Sequence, residues 1–143
     1  MEVMSDRFDE VSVEPQPFAR HRWHFAPVPP SVPEVRRRLK IVLGSLGVVR
    51  DAADAALLVA TELATNAVEH ARTEFWVTLS IEDPGILQIS VRDYSTQRLE
   101  PRPRDVFADR GRGLQVVAAL GRWVCITQPD GKTVRAAILL DQE

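Results

Sequence analysis

The stretch from Phe75 to Val91 constrains the fold more than any other part of the chain. Phe75, Val77, Leu79 and Ile81 alternate with polar residues, Asp83-Pro84-Gly85 turns the chain, and Leu87, Ile89 and Val91 resume the alternation. Alternation with a period of two gives each strand one apolar and one polar face. A turn this short pairs the two strands antiparallel. The apolar face of such a hairpin needs a cover, and the residues before it supply one.

Two amphipathic helices are expected there. Ser31 reads as an N-cap, with Pro33 in the first turn and Glu34 completing a capping box. Val32, Val35, Leu39, Val42, Leu43 and Leu46 then mark one apolar face, and Gly47 ends the helix. A second helix should run from about Arg50 to Ala71. Its Leu57, Ala60, Ala64, Ala67, Val68 and Ala71 cluster on one side, and the alanines allow close packing. Arg36, Arg37, Arg38 and Lys40 read as the wet side of the first helix.

The flanks complete the pattern. Residues 1–17 are acidic, hold two prolines and show no apolar period, so they read as a mobile tail ahead of one domain at 18–143. Trp23-His24-Phe25 can pair as a short edge strand. From Tyr94 to Arg112 the apolar pattern lapses, as in a functional or disordered loop. A short helix is expected after Gly113, and 123–127 with 133–140 form a last hairpin around Pro129-Asp130-Gly131. The elements predict an α+β two-layer sandwich, a mainly antiparallel mixed sheet covered on one face by helices.

Composition removes several classes. Eighteen basic and twenty acidic residues leave a net charge of -2, without the basic excess of a general nucleic-acid binder. No apolar run approaches the roughly 20 residues needed to span a bilayer. Cys125 is the only cysteine, which rules out an internal disulfide; its apolar neighbours predict a buried thiol, and a reducing, cytoplasmic setting is expected.

Four groups of residues could carry chemistry. Steps of four residues advance about 400° along a helix, so Glu62, Asn66 and His70 form a slowly turning row, expected roughly opposite the alanine face. An amide oxygen there can bind Mg²⁺, and a carboxylate can orient or deprotonate a hydroxyl. A solvated helix face has the same spacing. Asp93, at the end of an apolar strand, could accept a hydrogen bond from an exocyclic amine, or cap its own backbone. Gly111-Arg112-Gly113-Leu114 opens a helix, where free N–H groups and close backbone approach favour phosphate. Gly131-Lys132-Thr133 heads the last strand. Taken alone it is a hairpin turn with Lys132 as a solvated charge, and it lacks the helix that follows a P-loop.

In this order and spacing the four groups resemble the GHKL ATPase superfamily, and within it the short bacterial anti-sigma-factor serine/threonine protein kinases related to general-stress and sporulation regulators. Glu62-x-x-x-Asn66-x-x-x-His70 looks like the family's N-box, Asp93 like its adenine-reading aspartate, Gly111-x-Gly113-Leu114 like its second glycine box and Gly131-x-Thr133 like its third. The resemblance implies a histidine kinase-like ATPase fold with ATP and Mg²⁺ as cofactors. Asn66 would hold the metal and Glu62 would act as base, with His70 completing the box. Asp93 would bind the adenine amine with Thr133 nearby. Gly111, Arg112, Gly113 and Leu114 would cradle the phosphates under a lid. It further implies two protein partners: a sigma factor that the kinase sequesters, and an anti-sigma-factor antagonist phosphorylated on serine. Direct nucleic-acid or membrane contact is not expected, and a homodimer stays open. A non-catalytic ATP-binding switch that binds a protein partner is the alternative. The first glycine box departs from the usual Asp-x-Gly-x-Gly, reading Asp93-Tyr94-Ser95-Thr96, and the missing later glycine implies a stiffer lid.

Overall fold

The computed structural model describes residues 19–83, 85–96 and 122–140. Five strands are found: β1 (Ala19–Phe25), β2 (Phe75–Asp83), β3 (Ile86–Asp93), β4 (Arg122–Gln128) and β5 (Gly131–Leu139). They form one sheet in the order β1-β2-β3-β5-β4. All four pairings are antiparallel. The expected hairpin is β2–β3, with a register shift between Ile81 and Asp83 beside its turn. Trp23 to Phe25 belong to a seven-residue edge strand, longer than the sequence suggested, because the pairing continues from Phe25↔Phe75 back to Ala19↔Ile81.

The period-two pattern sets which face is dry. Phe75, Val77, Leu79, Leu87, Ile89, Val91, Val134, Ala136 and Ile138 are buried, and their register partners place them on one side of the sheet. Phe25 stacks on Phe75 with centroids 5.5 Å apart. Two helices lie over this side: α1 (Ser31–Ser45) and α2 (Arg50–Asn66). Val35, Leu39 and Leu43 of α1 are buried in the same cluster. Each such aliphatic side chain contributes about 1.5–3 kcal/mol by leaving water. The α+β two-layer sandwich is thus the observed architecture.

The start of α1 differs from expectation. Pro30 occupies the N-cap position and no side chain caps the helix. The Ser31 hydroxyl instead donates to the Ala26 carbonyl at 2.7 Å. The Glu34 carboxylate does not reach back to the helix start either; it accepts hydrogen bonds from Arg37 and Arg38. A carboxylate one turn from two guanidinium groups gains more from that fork than from a neutral N–H. The other end behaves as read. Gly47 has φ +70°, its N–H bonds the Gly44 carbonyl, and the Val48 N–H bonds that of Leu43. This is a Schellman stop, which glycine adopts without a Cβ penalty.

Helix α2 packs on both α1 and the sheet, so more than one of its faces is dry. Ala52, Ala55, Ala56, Leu57, Val59, Ala60, Leu63 and Ala64 are all buried. After Asn66 the helix widens into a π-helical turn, Ala67–Ala71. Arg72 ends it in the left-handed region at φ 58°, ψ 36°, its N–H bonded to the Ala67 carbonyl at 2.8 Å. Cys125, expected to be buried, is exposed on edge strand β4. Among the described residues no helix is long and apolar enough to cross a membrane. The acidic tail, most of the loop after Thr96, and the short helix expected after Gly113 lie outside the described residues.

Candidate functional site

The Glu62–Asn66–His70 row begins in the interior and ends in a cleft. Glu62 is 8% exposed, Asn66 is half-buried and His70 is exposed. The row was expected on a face opposite the alanines. Instead Glu62 is buried, on a helix whose Ala60, Leu63 and Ala64 are buried around it. Thr61 and Thr65 each donate a hydroxyl to the carbonyl four residues back, at 2.7 Å, a pattern that loosens helices. The π-helical turn follows directly. It has more residues per turn than an α-helix, so the step from Asn66 to His70 rotates less than the step from Glu62 to Asn66. Single π-turns inside helices occur often at functional sites.

This turn forms one wall of a cleft of about 580 Å³. Glu69, His70, Arg72 and Thr73 line that wall, and Tyr94, Ser95 and Thr96 line the other. The Tyr94 N–H donates to Thr73 Oγ1 at 2.9 Å, tying the walls together. Trp76 Nε1 donates to the Tyr94 hydroxyl at 3.0 Å, and the Arg92 guanidinium lies 4.8 Å from the Tyr94 ring centroid. The chain leaving β3 is therefore held in place where it enters the cleft.

Asp93 stands at that exit, 5% exposed. Its Oδ1 accepts the Ser95 N–H at 2.9 Å, so it does cap its own turn, as one sequence reading allowed. Its carboxylate has a second partner. Lys132 Nζ lies 2.9 Å from Oδ2 and 3.1 Å from Oδ1. Lys132 was read as a solvated charge, and it is buried at 7% exposure. The reason is register: Asp93 faces Lys132 directly across the β3–β5 ladder. The alternation of Val134, Ala136 and Ile138, continued one step backwards, puts Lys132 on the helix-covered side; that signal was present in the sequence.

Thr133, expected near Asp93, is one register step from it. It pairs with Arg92, so its side chain takes the opposite face of the sheet from Asp93, where its hydroxyl lies 3.4 Å from Gln128 Oε1. Lys132 holds the place beside Asp93 instead. Gly111, Arg112, Gly113 and Leu114 lie outside the described residues. Tyr94 and Ser95, read as part of the altered first glycine box, line the cleft, and Thr73 is a site feature that the spacing of motifs did not reveal.

The donor set suits one kind of metal. Among the described residues no group of three or more His, Cys, Asp or Glu could hold an ion. Asn66, half-buried on the turn before the cleft wall, offers a hard oxygen donor. That fits Mg²⁺, which takes one or two protein ligands and fills its shell with water and phosphate oxygens.

No curated protein matches the chain in a sequence search. A family model described as a histidine kinase-like ATPase domain matches residues 25–138, from the end of β1 almost to the end of β5, and the chain belongs to that family.

Proposed function

We propose that the domain binds Mg-ATP in the cleft beside the π-helical turn and acts as an anti-sigma-factor-type protein serine kinase. The observation that carries this reading is the gradient along Glu62, Asn66 and His70, from a buried carboxylate to an exposed imidazole lining a cleft whose far wall begins at Tyr94, the residue after Asp93. The family match supports ATP binding. Asp93 reads the base, Asn66 holds Mg²⁺, and the metal neutralises phosphate charge when bound. Gly111, Arg112, Gly113 and Leu114 supply the phosphate cradle.

In the transfer, a serine hydroxyl of the partner attacks the γ-phosphorus. The bond to the β–γ bridging oxygen breaks, ADP leaves, and the hydroxyl proton passes to the Glu62 carboxylate. Most of the rate comes from positioning and charge neutralisation. The phosphorylated protein is an anti-sigma-factor antagonist, and the kinase sequesters a sigma factor in the cytoplasm.

A specific feature favours a second reading, a non-catalytic ATP-dependent switch. Ser95 stands where the usual box has glycine, and its N–H is committed to Asp93, which fixes the start of the lid. Two measurements decide. Titration calorimetry with Mg-ATP should give heat, and a null titration at millimolar nucleotide would remove both readings. Labelled ATP with a candidate antagonist, against a Glu62→Ala control, should show phosphoserine. Binding without transfer to any antagonist that forms a complex leaves the switch.

A further inference from the structure

The Asp93–Lys132 pair has hydrogen-bonding capacity that the described residues do not use. An ammonium carries three N–H donors and a carboxylate about four acceptor positions. The Lys132 ammonium directs its contacts to the two Asp93 oxygens, and Asp93 adds the Ser95 N–H. Among the described residues no other acceptor serves Lys132 and no other donor serves Asp93. Among the described residues at least one N–H therefore has no acceptor, on an ammonium whose side chain is 9% exposed. A buried charge with a spare donor is costly unless something completes its shell. The pair also stands where β3 gives way to Tyr94, Ser95 and Thr96, which line the cleft.

The spare groups form a pattern: a charged donor beside a charged acceptor. Adenine offers the amine hydrogen at its 6-position next to the ring acceptor N1. Guanine offers the reverse, an acceptor oxygen at the 6-position next to the N1–H donor. A carboxylate alone, set against the 6-position, suits adenine's amine and repels guanine's oxygen. With an ammonium beside it, both edges find complementary partners. As a base engages one carboxylate oxygen, Lys132 keeps the other and turns its spare N–H to the base acceptor, so neither charge is left uncompensated.

We infer that Lys132 sets base specificity and that this site takes guanine as well as adenine nucleotides. The inference rests on the nucleotide reading of the cleft proposed above. It departs from an aspartate that selects an amine alone, since the lysine supplies the donor that a 6-oxo purine requires.

Calorimetric titration of the wild type with Mg-ATP, Mg-GTP and Mg-ITP, repeated on Lys132→Met, tests it. In the wild type the three dissociation constants should agree within about tenfold, the scale of one charge-assisted hydrogen bond. In Lys132→Met, GTP and ITP should weaken at least about tenfold more than ATP, for the same reason. A wild type that prefers ATP by more than that margin overturns the inference while leaving ATP binding intact. So does a variant that weakens all three equally. Binding of none of the three overturns the nucleotide reading itself. If melting curves show that Lys132→Met does not fold, the wild-type ratio alone decides, because ITP isolates the 6-oxo group from guanine's 2-amine.

Discussion

A Cβ placed on Gly131 would sit 2.1 Å from the carbonyl oxygen of Asp93 and 2.9 Å from Cα of Tyr94. Both are backbone atoms, which cannot rotate away as a side-chain tip can. Gly131 also has φ +156°, in the range where side chains are strained. The glycine thus lets β5 start hard against the end of β3 and brings Lys132 level with Asp93. Gly131→Ala should cost about 1–3 kcal/mol, as overpacking does, and should weaken nucleotide as the two strands part. Urea unfolding checks the first point; a cost within error of zero would show that the strand start can shift aside freely.

Asp93 and Lys132 should be coupled in stability. Removing one partner leaves the other buried without compensation, at about 3–5 kcal/mol. Asp93→Asn and Lys132→Met should each destabilise strongly, while the double variant should lose much less than their sum. Chemical denaturation of all four proteins at neutral pH gives the coupling. Strict additivity would mean that the pair carries no mutual energy in solution. Nucleotide affinities of these variants need to be measured where each is fully folded.

The two polar positions of α2 should separate by function. Asn66→Ala should abolish the difference between ATP binding with and without Mg²⁺. Glu62→Ala should retain nucleotide yet slow phosphoryl transfer by about 10²–10⁴-fold, the usual contribution of a positioned base. Single-turnover assays with labelled ATP distinguish them. Wild-type transfer by Glu62→Ala would take the base role from this residue.

Glu34 gives a pH signature distant from the cleft. Hydrogen bonds from Arg37, then Arg38, hold its carboxyl down from the usual 4.5 to about 2. A group with a depressed folded-state value adds stability above its unfolded value and loses it as pH falls through the folded one. The melting temperature of wild type should therefore exceed that of Glu34→Gln above about pH 4.5, and the gap should close as pH approaches about 2. The side chains are exposed, so the gap should be small and should shrink in salt. A gap independent of pH would assign the effect to packing instead.

The sheet and its cover were legible because they depend on local periodicity. Leu79 and Ile89, or Leu39 and Leu43, announce their faces through neighbours a few residues away. What escaped were properties set by distant partners. Glu62 is spaced like a surface residue, yet it is buried in the folded chain. Lys132 shares the parity of Val134, Ala136 and Ile138, but that Asp93 is its partner depends on the β3–β5 pairing. Thr133 was expected near Asp93, and it sits one register step away, paired with Arg92. Ser31 carries a good capping side chain, yet its hydroxyl donates to the Ala26 carbonyl and caps no helix N–H.

The order of the strands also bears on how the chain reaches this state. The β2–β3 and β4–β5 pairs are hairpins closed by short turns, so each can zip from its own bend with little loop to close. The two seams that join them into a sheet are of another kind. Trp23 must find Val77 across both helices, and Val91 must find Val134 across the whole segment that follows β3. Contacts that distant in sequence carry the chain-entropy cost of folding and set its rate. The Asp93–Lys132 pair lies on the second seam, so the chemistry of the cleft comes together in the slow step, after the hairpins have already formed.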